Sequence, residues 1–206
     1  ESVENIEVGT KWNLFDERLL LSAAAFQITK DDVMESVGNA YETLGTLNTG
    51  KNRVRGVEFG AVGNLTDKLS GQFAASVMDA EVLEAFTANQ IGKTLSNFAD
   101  RSAHAQLRYQ LTPKLAIGGG ATYSSEMYAG QPDTAAGFDA NTGEYSYRVP
   151  SYTTFDAFAS YAINSSLVAR LNIGNLFDKD YYLAAYRSGA FTYIGDARSA
   201  QLSFSA

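Results

Sequence analysis

Between residues 102 and 111 the chain reads SAHAQLRYQL, and its positions alternate without a break. Ala103, Ala105, Leu107, Tyr109 and Leu111 fall on one side, and Ser102, His104, Gln106, Arg108 and Gln110 on the other. A period of two marks a β-strand, because successive side chains leave opposite faces of the pleat. The pattern recurs along the chain. Strands near 5–15 and 19–30 flank a polar turn at Asp16–Arg18, and strands at 54–65 and 69–78 flank Thr66–Lys68. A third pair flanks Thr112–Lys114, a fourth at 152–163 and 167–177 flanks Asn164–Ser166, and a last strand runs at 198–205. That makes nine strands.

The connections alternate too. Four are tight turns of Asp, Asn, Ser and Pro, which favour such geometry. The other four, at 31–50, 79–100, 126–150 and 178–196, are long and polar. All long connections therefore leave one end of the sheet and all tight turns the other, as in outer-membrane barrels.

One register carries Ile6, Val8, Thr10, Trp12 and Leu14, then Leu69, Phe73, Ala75 and Val77, then Phe155, Ala157, Ala159 and Tyr161, then Leu167, Ala169, Leu171 and Ile173, and finally Ala200, Leu202 and Phe204. The other carries Glu7, Lys11, Glu58, Gln72, Ser76, Asp156, Arg170, Asn172 and Gln201. Each apolar stretch is roughly ten residues, the length of a tilted strand that crosses hydrocarbon. Trp12, Tyr109 and Tyr161 stand beside the tight turns, where an aromatic girdle belongs. A soluble β-sandwich also alternates, but its inner faces need large interdigitating side chains, and these rows are rich in Ala and Gly. The expected fold is all-β, an antiparallel up-and-down transmembrane β-barrel with a greasy outside and a wet lumen. Nine strands leave two unpaired edges, whereas bacterial single-chain barrels are closed and even-numbered. Residues 1–206 are thus expected to be part of a larger barrel.

Composition narrows the chemistry. With no cysteine and one histidine, disulfides are excluded and the usual zinc, iron–sulfur and haem ligand sets are nearly so. A net charge of −7 argues against nucleic acid as a partner. No run of eighteen apolar residues suggests a membrane helix.

Several short motifs carry the resemblance that completes this reading. NIGNLFDKDYY (172–182) followed by GDARSAQLSFS (195–205) resembles the closing region of TonB-dependent outer-membrane receptors. VRGVEFG (54–60), GGGATY (118–123) and VPSYTTFDAFASY (149–161) resemble their ferric-siderophore subgroup. The resemblance implies a 22-stranded barrel with an N-terminal plug, of which this chain supplies about the last nine strands. It places the plug and the TonB box upstream of residue 1, and, by the parity of Phe204, an aromatic terminus about two positions beyond Ala206. It also implies the cell outer membrane, a ferric siderophore as transported ligand with no directly bound cofactor, and contacts with outer-membrane lipid, lipopolysaccharide and the TonB complex. No enzymatic activity is implied. Another cargo (cobalamin, haem or a glycan), a passive porin and a barrel-embedded hydrolase are the rival readings.

Candidate chemistry is sparse. A hydrolase would need His104 with a serine and a carboxylate, but no nucleophile elbow occurs and His104 lies mid-strand on the wet register. Gly92–Lys93–Thr94 lacks the leading glycine of a phosphate loop, since Thr87 stands there. DANTGE (139–144) departs from a calcium loop at Gly143 and Glu144. No catalytic or metal residue is assigned. Under the receptor reading, aromatic faces with arginine in the long connections can hold a planar anionic chelate. The candidate ligand-binding residues are Tyr128, Tyr145, Tyr147, Arg148, Tyr186, Arg187 and Tyr193; an upper aromatic belt or loop packing is the other role for such rings. The first three long connections carry many acids, among them Asp31, Asp32, Glu35, Glu42, Asp79, Glu81, Glu84, Asp133, Asp139 and Glu144. Unless other parts of the receptor compensate, these repel a strongly anionic tris-catecholate and favour a hydroxamate or other low-charge chelate.

Overall fold

The computed structural model describes residues 1–36 and 46–205. Nine strands form one antiparallel sheet in chain order: β1 (Ser2–Leu14), β2 (Leu19–Ser36), β3 (Thr46–Asn64), β4 (Leu69–Glu84), β5 (Arg101–Gln110), β6 (Leu115–Ser124), β7 (Tyr152–Ala162), β8 (Val168–Gly174) and β9 (Ser199–Ser205). Each strand pairs with its sequence neighbours, so the topology is up-and-down, with β1 and β9 as the two edges.

The register aligns the apolar rows across the whole sheet. Val8 pairs Ala25, Ala25 pairs Val57, and Val57 pairs Val77. On the other side Leu107 pairs Gly119, Gly119 pairs Ala157, Ala157 pairs Ile173, and Ile173 pairs Ala200. Among the described residues no second layer covers this face: Val8 is 75% exposed, Val57 54%, Val77 51%, Leu107 51% and Leu202 61%. A soluble sandwich would bury these rows. On the lipid-facing wall of a membrane barrel they meet hydrocarbon. From Leu69 to Val77 the apolar row of β4 spans roughly 27 Å along the strand, or about 20 Å of membrane normal at the usual tilt. Charge closes the band on both sides. The Arg55–Asp79 pair, at 3.0 Å, lies just beyond Val57 and Val77, and Arg18–Asp67, also at 3.0 Å, ties two tight turns together.

The opposite face is polar and concave. Glu7, Lys11, Ser22, Glu58, Ser76, Ser102, His104 and Thr122 line a hollow of about 890 Å³. Cross-strand bonds knit it together: Ser76 to Ser102 at 2.7 Å, Gln72 to Gln106 at 3.0 Å and His104 Nδ1 to Thr122 Oγ1 at 3.0 Å. His104 is thus committed to a hydrogen bond within the wall.

Two expectations need correcting. The long connections at 31–50 and 79–100 are shorter than their polarity suggested, because β2 runs on to Ser36, β3 begins at Thr46 and β4 reaches Glu84. Beyond the membrane band the pattern changes sides, with Val54, Ala80 and Val82 packed beneath the outer connections and Arg53 and Glu81 on the other face, so the continuous outward apolar row that marks the wall strands stops there. Cross-strand ion pairs take its place: Lys51–Asp31 at 2.8 Å, Arg53–Glu81 at 2.6 Å and Arg55–Asp79. Bulges at Lys30/Val33 and Lys51/Asn52 mark where this extension departs from the wall's regular ladder. The connections at 126–150 and 178–196 contain short hairpins, Met127–Tyr128 with Arg148–Val149, Phe138–Asp139 with Glu144–Tyr145, and Tyr182–Tyr186 with Phe191–Ile194. Residues 37–45, with Tyr41 and Glu42, and Ala206 lie outside the described residues.

Buried apolar clusters occur beyond the membrane band. Met127, Ala129, Val149 and Ala185 form one, and Ala80, Val82 and Leu95 form another with Val54, Phe98 and Ala135 packed against it. The second, third and fourth outer connections (85–100, 125–151 and 175–198) therefore fold together as a cap.

Candidate functional site

The cap is built around asparagines that turn the chain and answer its backbone. Asn97 takes φ 53°, a left-handed conformation that Asn tolerates better than most residues. Its backbone N–H donates to the Tyr128 carbonyl at 2.7 Å, its Nδ2 donates to the Gly130 carbonyl at 3.2 Å, and its Oδ1 accepts from the Ala185 amide at 2.9 Å. One residue thereby joins all three connections. Backbone bonds reinforce the joint, from Arg187 N to Gly130 O at 3.1 Å and from Ala136 N to Thr94 O at 2.8 Å.

Asn175, 5% exposed and at φ 47°, does the same for the last connection. Its Nδ2 donates to the Lys179 and Asp196 carbonyls, both at 2.9 Å, and its Oδ1 accepts from Lys179 N at 2.8 Å. Asp178 Oδ1 accepts from Arg198 N at 2.9 Å. The Tyr181 ring lies directly on Gly195, where any Cβ would collide with it, and faces Tyr152 at 4.6 Å between centroids. The NLFDKDYY and GDAR segments are thus two halves of one clasp.

The cap reaches over the lumen. Asp133, in the third connection, receives Lys30 Nζ of β2 at 2.9 Å, and its carbonyl accepts Asn52 Nδ2 of β3 at 2.7 Å. The bond to Asp133 raises the Lys30 ammonium above its ordinary value, against the opposite pull of burial.

The seven candidate residues fall on this cap in unequal roles. Tyr145 is packed: its ring stacks on Tyr128 at 4.7 Å and meets the Phe138 edge at 5.2 Å, and its hydroxyl accepts from Thr94 N at 3.0 Å. Tyr128 donates to Glu126 Oε1 at 3.2 Å, and burial, with the Glu126 charge added, pushes its phenol up so that it stays a donor. Arg148 is held by the same carboxylate through Nε at 2.6 Å and through a second nitrogen. The Arg187 guanidinium lies 5.4 Å from the Tyr186 ring centre, and that ring faces Phe191 at 6.4 Å. Tyr147 and Tyr193 are exposed, at 56% and 63%. Tyr128 and Arg148 therefore meet at Glu126, with Tyr145 stacked on Tyr128, while Tyr186, Arg187 and Tyr193 sit on the neighbouring hairpin. Reading single residues missed Glu126, Asn97 and the Lys93 ammonium, 3.5 Å from the Phe138 ring centre. Asn is a favoured left-handed residue, but no local pattern around Asn97 names its three partners.

The acids also read differently in place. Asp31, Asp79, Glu81 and Asp133 each meet a Lys or Arg, and Glu35 accepts Phe86 N at 3.0 Å and Thr49 Oγ1 at 2.7 Å. A paired carboxylate projects far less field than a bare one, so counting acids overstates the repulsion of an anionic ligand.

Comparison with known proteins fits this architecture. The family described as "TonB dependent receptor-like, beta-barrel" matches residues 1–176. The chain belongs to the TonB-dependent receptor β-barrel family. Over 99% of its length it is 35% identical to the probable TonB-dependent receptor BfrD of Bordetella pertussis, and over 98% it is 32% identical to the probable TonB-dependent siderophore receptor PiuA of Acinetobacter baumannii. It spans 26% of each of these relatives. The crystal structure of PiuA superposes with a TM-score of 0.79 at 28% identity, covering 97% of this chain and 28% of that one. The ferric-catecholate import receptor Fiu of Escherichia coli K12, in its closed form, gives 0.74 at 26% identity, covering 98% and 27%. This receptor family member thus matches little more than a quarter of each of those larger chains.

Proposed function

We propose that this chain forms the C-terminal wall strands and outer cap of a bacterial outer-membrane receptor that imports ferric siderophores with energy from TonB. The sheet with one uncovered apolar face and one wet face carries the reading, and the names of PiuA and Fiu support the cargo. In this reading the rest of the protein supplies the plug and the TonB box, the apolar face meets lipid and lipopolysaccharide, and no bond of the cargo is broken. The capture surface is the outer side of the cap, with Tyr147, Tyr186, Arg187 and Tyr193 as contacts. Tyr128 and Arg148 position that surface through Glu126, and Tyr145 through its stack on Tyr128. Ion pairing of Asp31, Asp79, Glu81 and Asp133 weakens the objection to an anionic chelate.

The test uses an iron-starved strain lacking the receptor and complemented with the full-length gene. Growth on a panel of purified siderophores should be restored by at least one, and only when TonB is present. Growth independent of TonB would point to passive diffusion, and growth on none of them with the receptor in the membrane would sink the cargo assignment. Replacing both Tyr186 and Arg187 with Ala should weaken ligand binding by about tenfold, as losing one stacking and one charge-assisted contact does.

A further inference from the structure

Parity fixes which face a wall residue takes, but not how far its strand has slid along its neighbour. A shift of one residue turns every side chain to the wrong face, so lipid and lumen forbid it. A shift of two returns each side chain to its own face, and the alternating pattern permits it. For β1 and β2 the tight turn removes that freedom. β8 and β9 have no such turn, since residues 175–198 run between them. They are also short, at seven residues each against thirteen for β1 and nineteen for β3, so fewer ladder bonds resist sliding. Moved by two, β9 would still face outward correctly, with Leu202 beside Ala169 or Ile173 instead of Leu171.

The clasp stands where this ladder begins. Gly174 pairs Ser199, and the next residue on each strand, Asn175 and Arg198, is held. Toward β7, Asn175 N donates to Asp156 Oδ1 at 2.9 Å and Leu176 N to the Phe155 carbonyl at 2.6 Å. Toward β9, Asn175 Nδ2 donates to the Asp196 carbonyl and Arg198 N to Asp178 Oδ1, each at 2.9 Å. Asp178 N donates back to the Asn175 carbonyl at 2.9 Å, so one turn carries both side chains. Sliding β9 by two residues would carry Asp196 and Arg198 about 7 Å from these partners. The Tyr181 ring adds a second restraint. It occupies the place of a Cβ on Gly195, and the same slide would put Tyr193 or Ala197 there.

We propose that Asn175 and Asp178 are positioning residues that set the register of β9 against β8, as a tight turn does for β1 and β2. The proposal concerns the wall and holds whatever the receptor carries. The clasp also closes the base of the last hairpin, where Gly195 N donates to the Tyr181 carbonyl at 2.9 Å. Residues 182–194, with Tyr186, Arg187 and Tyr193, are therefore mounted on the clasp and dispensable for the register. Because β9 is an edge of this sheet, its register also sets the level at which any further strand joins it.

These 206 residues contain no cysteine, so disulfide trapping can read the register. The test uses the full-length receptor in outer membranes, with no cysteine beyond the pair introduced. Asn172→Cys/Gln201→Cys should link on oxidation, since the two are partners on the wet face. Asn172→Cys/Ser199→Cys and Asn172→Cys/Ser203→Cys report a shift of two in either direction. In the native register those pairs are diagonal, about 7–8 Å apart, and too far for an unstrained disulfide. Asn175→Ala/Asp178→Ala should raise the shifted links relative to the native one about tenfold, as loss of buried hydrogen bonds predicts. Asp178→Asn, which keeps the Oδ1 acceptor, should stay at the parent ratio. Replacing residues 182–194 with two glycines should leave the ratio unchanged, because a two-residue link closes such a hairpin. An unchanged ratio in Asn175→Ala/Asp178→Ala, or a shifted one in the two-glycine protein, would overturn the proposal. So would loss of all three links in the Ala protein, which would make the clasp a requirement for folding alone. Siderophore binding is scored separately: its retention in the two-glycine protein would refute capture by the hairpin and leave the clasp standing.

Discussion

The wall and the cap are made by opposite means. In the wall every side chain is assigned by parity: one face goes to lipid, the other to the lumen, and backbone ladders satisfy the polar groups. The cap has no such rule. It holds two small apolar clusters and is organised by Asn97 and Asn175, whose amides answer backbone groups from distant segments. The wall tolerates variation in composition provided the parity holds. The cap depends on a few individual residues, and that is where a receptor can vary what it captures without disturbing its barrel.

Breaking the wall's parity should produce the largest effect. Ala75→Arg puts a charge in the middle of the lipid-facing row and should cost about 2–4 kcal/mol, whereas Ser76→Arg on the wet face should cost far less. Denaturant titration of the full-length receptor refolded into lipid vesicles measures both, and equal losses would refute the assignment of faces.

Next comes the clasp. Asn175→Ala strands two carbonyls and an amide in a buried site, at roughly 1–3 kcal/mol. Hydrogen exchange should quicken around Lys179 and Asp196 while β1–β6 keep their protection; slowing nowhere and quickening everywhere would mean that cap and wall are one cooperative unit. Asn97→Ala, at a half-buried position, should cost about 1 kcal/mol. It should loosen the amides of Ala185 and its neighbours in the same experiment, while Asn97→Asp, which keeps the acceptor, should protect Ala185 better than Ala does.

The smallest effect concerns Asp100, at the boundary between the two regions, where Met78 N donates to its carbonyl at 2.8 Å. Desolvation, followed by the Asp79 charge, raises its carboxyl above the ordinary carboxylate value. A raised acid takes up its proton in the folded state first, so the penalty is present at neutral pH and relieved as pH falls through that raised value. Asp100→Asn should therefore slow exchange at Met78 slightly at pH 7 and make no difference in acid. A variant that quickens exchange at neutral pH would contradict that sign.

The legibility of the two regions follows from the same contrast. Thr66–Lys68, Thr112–Lys114 and Asn164–Ser166 were visible as turns because Thr66 Oγ1 caps Leu69 N at 3.0 Å, Thr112 Oγ1 caps Leu115 N at 3.0 Å and Asn164 Oδ1 caps Ser166 N at 2.9 Å, all within three residues. The extensions of β2, β3 and β4 were hidden, since above the membrane the outward face turns charged, as in the pairs Lys51–Asp31 and Arg53–Glu81, while Ala80 and Val82 are buried only by residues of distant connections such as Leu95 and Ala135. Of the candidate residues, the closeness of Tyr145 and Arg148 was readable, but their attachment to Tyr128 and Glu126 was not.

Strand number, the direction of each strand, the face of each side chain and the asymmetry of the two ends followed from local order alone, because a pleat of period two and a tight turn are set by adjacent residues. Folding in three dimensions settled which acids are neutralised, which aromatics are spent on packing and how three connections become one cap. Those outcomes depend on partners such as Lys30 and Asp133, which are 103 residues apart, or Asn97 and Ala185, 88 apart. No periodicity encodes a contact at that separation; it exists only once the wall has brought the connections to the same rim.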